Sequence, residues 1–328
     1  MNEAKAERPA RIKIVRRSLH GVLLLDKPLY LSSNDALQKV KWLLRGEKAG
    51  HTGTLDPLAT GVLPICFGAA TKFSHIHLDA VKTYVATLKL GVKTSSGDAE
   101  GGVIAVRNVA AEMTSEAILD KVCKAFTGAI FQVPPMTSAL KKDGKPLYEL
   151  ARQGIEVERA AREVTIHKLV IQKLQDDELR LTVTCSKGTY IRTLGEDIGV
   201  TLGCGGHLTS LRRTATGDFE IVKAVTLAQL EAMSDVAREV LLLPVDVMLS
   251  QYARVDLDNE NAGRFLSGVR RRTEVKDNEF VKVYGPEAQL LGSAHIKAGE
   301  LIPTRLLSPL DIEQIQNMDS RLRGNDGI

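Results

Sequence analysis

Gly50-His-Thr-Gly-Thr-Leu-Asp-Pro-Leu-Ala-Thr-Gly61 packs three glycines and one proline into 12 residues. That composition breaks helix and strand alike and predicts a long, shaped loop. The loop carries one carboxylate, Asp56, and one imidazole, His51. Asp56 precedes Pro57, and a residue before proline is biased toward extended backbone, so its side chain can project as a presented nucleophile. An Asx-turn, in which Asp56 merely closes the loop, fits the same composition. Both readings stay open on composition alone.

Working outward, Gly21-Val-Leu-Leu-Leu25 predicts a buried strand closed by a turn at Asp26-Lys27-Pro28. A helix follows from Ser32-Ser33, with Leu37, Val40, Leu43 and Leu44 at helical spacing and Lys39, Lys41 and Arg45 on its outer side. Val62 to Phe67 predicts a strand that Pro64 confines to an edge or a bulge. From Lys82 to Lys93 the pattern alternates, with Tyr84, Ala86, Leu88 and Leu90 on one face and Val85, Thr87 and Lys89 on the other. Further strands are expected at Val164 to Leu174 and Glu178 to Ser186.

Ile191, Leu194, Ile198 and Leu202 mark a helix with Thr189 near its N-cap and Arg192 in its first turn. A guanidinium at a helix N-terminus suits a carboxylate or phosphate; a plain surface arginine fits too. Hairpin-like strands mixed with helices predict an α+β class. From Tyr252 to Leu307 short strands surround one helix at Ala262 to Ser267, which predicts a small second domain. Residues 309–328 hold a helix-compatible piece and a polar, glycine-bearing end, expected to be a mobile tail.

With 328 residues, 44% apolar and 26% charged, the chain is of ordinary globular composition and sized for about two domains. Residues 1–20 carry six Lys and Arg against two Glu, and that excess of four equals the formal charge of the whole chain. A basic arm thus leads a balanced body. The early apolar run stops at Leu25, short of a signal segment or a membrane span, so a soluble, cytoplasmic protein is expected. Cys66, Cys123, Cys185 and Cys204 form no Cys-x-x-Cys pair and read as reduced structural thiols.

P-loop, zincin and nucleophile-elbow motifs are absent from the sequence, and His75-Ile-His77 alone makes a poor metal site. Aromatics at 4% argue against a sheet that displays stacking rings to RNA. Basic clusters at Lys141-Lys142, Lys145, Arg152, Arg212-Arg213 and Arg270-Arg271-Arg272 point to a localised anionic partner.

Gly21-Val-Leu-Leu-Leu-Asp-Lys-Pro28, Ser32-Ser-Asn-Asp35, the Gly50–Gly61 loop, Ser138-Ala-Leu-Lys141 and Lys187-Gly-Thr-Tyr-Ile-Arg-Thr193 occur in that order. With them, residues 21 to 307 resemble the bacterial tRNA pseudouridine-55 synthases. The resemblance implies the pseudouridine-synthase fold over 21–248, with a mixed, largely antiparallel central sheet flanked by helices. It also implies an RNA-clamping insertion at 131–160 and a β-rich PUA-type RNA-binding domain at 252–307. The arm at 1–20 and the tail at 308–328 lie outside it.

The implied reaction isomerises uridine 55 of the tRNA T-loop. The C1′–N1 bond breaks, the uracil rotates and C5 is joined to C1′, with no cofactor and no metal. By the same resemblance Asp56 is the catalytic carboxylate. Arg192 pairs with it and would lower its pKa, and Tyr84 stacks on the base and assists proton removal from C5. His51 fills the space of the flipped nucleotide, Tyr190 and Leu211 line the uracil pocket, and Lys27, Lys141, Lys142 and Arg212 hold phosphates. The implied partner is tRNA, gripped at its T-arm and at its acceptor end by the C-terminal domain, with no membrane and no obligate protein partner.

Guide-dependent relatives share the aspartate loop, but Ala151-Arg-Gln-Gly-Ile-Glu-Val157 resembles the stand-alone type. A noncatalytic tRNA-binding or folding factor would need the basic clusters and not Asp56. A hydrolase would want a second acid or base in range.

Overall fold

The apolar run of residues 22–25 buries all four side chains, which makes β1 (Gly21–Lys27) an interior strand. In this computed structural model, which describes residues 15–324, β1 leads into α1 (Ser33–Leu43). Ser32 caps that helix by accepting the Asp35 N–H at 3.1 Å. Next come β2 (Ala49–His51), β3 (Ala59–Phe67) and β4 (Lys82–Leu90), in which every second side chain is buried as the alternation demanded. A hairpin of β5 (Val92–Thr94) and β6 (Val103–Val106), then α2 (Glu116–Phe126), leads to β7 (Gly128–Gln132). A small excursion of β8 (Lys141–Lys142), β9 (Lys145–Pro146) and α3 (Leu147–Arg152) follows, outside the main sheet. The long pair β10 (Arg162–Gln175) and β11 (Glu178–Cys185), α4 (Ile191–Thr201) and β12 (Gly206–Thr216) complete the centre. Short β13 (Phe219–Glu220) and β14 (Val225–Thr226), then α5 (Leu227–Ala232) and α6 (Asp235–Val240), close this part.

The main sheet runs β14-β1-β3-β12-β4-β11-β10-β7, with β2 on β3 and β13 on β12. Only the β1–β14 and β3–β12 pairs are parallel, so the expected α+β class with a mixed, largely antiparallel sheet is what forms. Glycine is required at Gly61, where φ is +108° and a Cβ would meet the Arg213 carbonyl oxygen at 2.1 Å. Two expectations change here. The loop is shorter than predicted, because Ala49–His51 and Ala59 onward pair into strands, leaving residues 52–58 irregular. Nor is the strand holding Pro64 an edge: β3 lies inside, with Pro64 opposite Leu24. The proline fits because the neighbour on its other side changes from β12 at Gly61 to β2 at Ile65, so its missing N–H falls in the gap.

One face of the sheet packs α1, α4 and α2 through Leu37, Val40, Leu194, Ile198 and Leu119. The opposite face, with Val22, Leu24, Val62 and Cys66, shares a continuous apolar cluster with the C-terminal part. That part comprises β15 (Ala253–Asp256), α7 (Asn259–Leu266), β16 (Arg271–Arg272), β17 (Asn278–Tyr284), β18 (Leu290–Lys297) and β19 (Glu300–Leu306). Its sheet order is β15-β17-β18-β19-β16.

The expected mobile tail is instead α8 (Pro309–Gly324). Its Ile312 and Met318 are buried, Asp311 accepts from Lys72 at 2.8 Å, and Gln314 binds Ser18 and the buried His20 at 2.8 and 2.9 Å. Helix-compatible spacing in a polar segment hid this, since two apolar anchors suffice when donors on other elements, such as Lys72 and Ser18, hold the rest. Residues 325–328, and 1–14 of the basic arm, lie outside the described residues. Within the arm's described end, Arg17 pairs with Glu239 and its backbone bonds Arg45 and Glu47. None of the helices of the described residues is long and apolar enough to cross a membrane. All four cysteines are free thiols.

Candidate active site

Residues 52–58 are pinned at several points. Ser33 Oγ donates to the Leu55 carbonyl at 2.9 Å and accepts its N–H at 2.7 Å. The Thr52 N–H donates to the Pro64 carbonyl at 3.1 Å and the Tyr30 N–H to the Pro57 carbonyl at 2.9 Å. Arg213 Nη2 donates to the Gly53 carbonyl at 3.0 Å. The Ala59 N–H bonds the backbone carbonyl of Asp56, not its carboxylate. An Asx-turn would need the Leu58 N–H on that carboxylate; no such bond forms, and the Asp56 side chain faces a cavity of about 250 Å³.

There it meets Arg192, whose Nε lies 3.1 Å from Asp56 Oδ2. Arg192 occupies the first turn of α4, whose N-cap position is Tyr190, next to Thr189, with no side-chain cap. The guanidinium is held in turn: Nη1 donates to the Ser96 carbonyl at 3.2 Å and to Thr137 Oγ1, and sits 3.5 Å from Asp98 Oδ2. With Arg192 5% and Asp98 3% exposed in their side chains, the Asp56–Arg192–Asp98 array is buried at all but its Asp56 end.

The electrostatics differ from the expectation of a lowered Asp56 pKa. Burial raises it, and although Arg192 and Lys27 pull it back, the Asp98 charge adds to the rise. Some 37% of the Asp56 side chain opens to the cavity. Burial by the surrounding protein, with the Asp98 charge added, still outweighs that solvent and the Arg192 and Lys27 charges, so the net direction is upward. Arg192 moderates a shift that it does not reverse.

Tyr84 and Leu211, both nearly buried, line the cavity with Tyr190. Tyr84 sits directly across from Arg213 in the β4–β12 register. Arg213 is wholly buried, with Nε on the Val62 carbonyl at 2.8 Å. Burial raises the Tyr84 phenol pKa while Arg213 opposes the rise. Lys82 also lines the cavity, donates to the Ala80 and Leu78 carbonyls at 2.6 and 2.9 Å, and is pulled down by burial to about 8.

Three expected residues, His51, Lys27 and Arg212, stand elsewhere than supposed. His51 is outside the cavity lining; its Nδ1 is buried without a hydrogen-bond partner, and burial and Arg213 lower its pKa. Lys27 is not a free phosphate contact, being 0% exposed and donating to the carbonyls of Pro28, Leu31 and Pro57 at 2.9, 2.6 and 3.4 Å. Burial lowers it to about 8. The charge of Arg212 is already engaged, bidentate on Asp26 at 3.0 and 2.7 Å. Lys141 and Lys142 are exposed on β8, outside the cavity, and Lys142 donates to the Glu158 carbonyl at 3.2 Å.

Arg213 and Asp98 were missed by sequence reasoning. Arg212-Arg213 reads as a surface pair, yet adjacent residues on a strand point to opposite faces, so one had to turn inward. Asp98, in the turn Ser95-Ser-Gly-Asp98, carries no local sign of its burial. Among the described residues no three His, Cys, Asp or Glu side chains gather as a metal site would require.

Residues 41–191 match the family model described as TruB family pseudouridylate synthase (N terminal domain). Residues 192–250 match the tRNA pseudouridylate synthase B C-terminal domain, and residues 253–307 the pseudouridine synthase II TruB, C-terminal model. The tRNA pseudouridine synthase B of Verminephrobacter eiseniae is 55% identical over 311 residues, covering 93% of this chain and 94% of that protein. The tRNA pseudouridine synthase B of Cupriavidus metallidurans is 54% identical over 317 residues, covering 94% and 99%. In fold, the chain is similar to one in a Cbf5-Nop10-Gar1 complex, with TM-score 0.67 and 24% identity over 89% of this chain and 86% of that one. Matched from residue 41 through its C-terminal sheet and more than half identical to curated members, the chain belongs to the TruB family of pseudouridylate synthases.

Proposed function

We propose that this chain converts uridine 55 in the T-loop of tRNA to pseudouridine, acting alone in the cytoplasm, with Asp56 as its one catalytic carboxylate. The observation that carries the reading is the Asp56 carboxylate, free of backbone bonds, 3.1 Å from Arg192 at the wall of a base-sized cavity. Relatives named tRNA pseudouridine synthase B support tRNA as the substrate. The ionised carboxylate initiates cleavage of the C1′–N1 bond by adding at C1′ or C6, or by taking a ribose proton. The uracil turns within the cavity, C5 joins C1′, the C5 proton leaves, and N1 gains one, so the atoms balance without cofactor. Tyr84, against the base, takes part in removing that proton, and Tyr190 and Leu211 confine the ring. Extruding the uridine from a folded loop costs on the order of a few kcal/mol, which the RNA contacts outside the cavity must supply. Exposed Lys141, Lys142 and Lys145 on the β8–β9 excursion would close over the stem–loop, and Arg270-Arg271-Arg272 of the C-terminal part would meet the acceptor end. His51 would serve as the wedge only after moving from its present place beside β3.

The test is tritium release from a T-arm RNA labelled at uridine C5, with purified wild type and Asp56→Asn side by side. Release by wild type alone, mapped to the T-loop uridine, is expected. No release from bare RNA despite tight binding would favour a guide-dependent enzyme or a folding factor. Release by Asp56→Asn would end the assignment.

A further inference from the structure

Tyr30 has a φ of +65°, in the left-handed region where a side chain crowds its own backbone and glycine or asparagine is the usual occupant. Packing does not account for it, since the residue is 74% exposed and belongs to neither apolar core. The surrounding bonds fix it regardless. Its N–H donates to the Pro57 carbonyl at 2.9 Å. On either side the Pro28 and Leu31 carbonyls accept from the buried Lys27 ammonium at 2.9 and 2.6 Å. The turn is thus wound around Lys27 and tied to the loop one residue past Asp56, and it carries an exposed planar ring beside the loop that holds that carboxylate. Strain that the surroundings over-determine, at the edge of a site, points to use. Toward an RNA, a rigid exposed tyrosine has one well-suited interaction, stacking on the face of an unpaired base.

We propose that Tyr30 is a stacking platform for a base adjacent to the extruded uridine, outside the cavity itself. The inference rests on the RNA-modifying reading above. Stacking accepts any base, so Tyr30 adds affinity and register and leaves the choice of target to the cavity.

Tyr30→Gly removes the ring and suits the left-handed backbone, so its melting temperature should be no lower than wild type. Its Kd for a T-arm stem–loop, and its KM, should rise on the order of 5- to 100-fold, with kcat at saturating RNA unchanged. Tyr30→Phe should match wild type. A stem–loop made abasic next to the target uridine should weaken wild-type binding by the same factor and Tyr30→Gly little further. Wild-type affinity in Tyr30→Gly, or losses by ring and base that simply multiply, would overturn the platform. Equal weakening in Tyr30→Phe would also overturn it, since the contact would then be a hydroxyl hydrogen bond. Failure of the wild type to modify the stem–loop counts against the tRNA reading itself. Wild-type turnover with an unchanged KM in Tyr30→Gly counts against the platform alone.

Discussion

Replacing Arg192 with glutamine should shift the acid limb of the pH–rate profile upward. In the wild type the Asp56 carboxyl already titrates above the usual range, because burial outweighs the Arg192 charge. At 3.1 Å, Coulomb attraction between unit charges is about 5 kcal/mol at an effective dielectric of about 20, and about 1.3 kcal/mol in water. With 37% of the Asp56 side chain open to solvent, the outcome lies between those limits. It corresponds to a further rise of about one to three pH units.

The sign follows from which form reacts. The ionised carboxylate is competent, its fraction is lost as pH falls through the pKa, and a higher pKa moves that loss to higher pH. The defect of Arg192→Gln should therefore be deepest in acid and shrink as pH rises. Single-turnover tritium release across pH reads it directly. Breaking a buried pair costs about 3–5 kcal/mol of stability, here because Asp98 loses its partner, so folding must be followed by thermal denaturation. Arg192→Gln with Asp98→Asn relieves that charge and should restore stability, and because the Asp98 charge itself raises Asp56, its limb should lie below that of Arg192→Gln and above the wild type's. An equal loss of rate at every pH, or a weaker salt dependence of binding with unaltered rate, would refute the reasoning.

Lys27→Met should lower kcat by loosening the turn and the aspartate loop, without changing the salt slope of RNA binding; a slope smaller by about 1 would restore a phosphate contact. Arg213→Lys should slow loss of the C5 proton, seen as a larger isotope effect with C5-deuterated uridine RNA, and an unchanged isotope effect would uncouple Arg213 from Tyr84. Ile312→Ala with Met318→Ala should cost about 2–5 kcal/mol per site in urea unfolding. Unchanged stability would mean that α8 is dispensable after all.

What the sequence disclosed depended on how local each cause is. The alternation around Tyr84 and the helical spacing around Arg192 reflect which face is buried, and each is written within a few neighbouring residues. Lys27, Arg212 and Arg213 are equally basic in sequence, yet one is wrapped in carbonyls, one is paired with Asp26 and one is wholly inside. The partners that decide this come from distant strands. Pro64 misled for the same reason, since its tolerance depends on where β12 ends and β2 begins. Asp98 was illegible because Arg192, 94 positions away, is what makes its burial possible.

β1 belongs to two interiors at once. Leu23 and Leu25 serve the helix side, while Val22 and Leu24 serve the cluster that includes Val281, Val283 and Ile312. The C-terminal sheet is therefore no detachable module, because its removal would strip the floor from the sheet that carries the reaction and expose Phe73, Met248 and Leu249 to water. Both parts should melt in a single cooperative transition. Whatever accommodation a folded RNA requires must then come from surface excursions such as β8–β9, because a hinge between the two halves would have to open a shared hydrophobic interior.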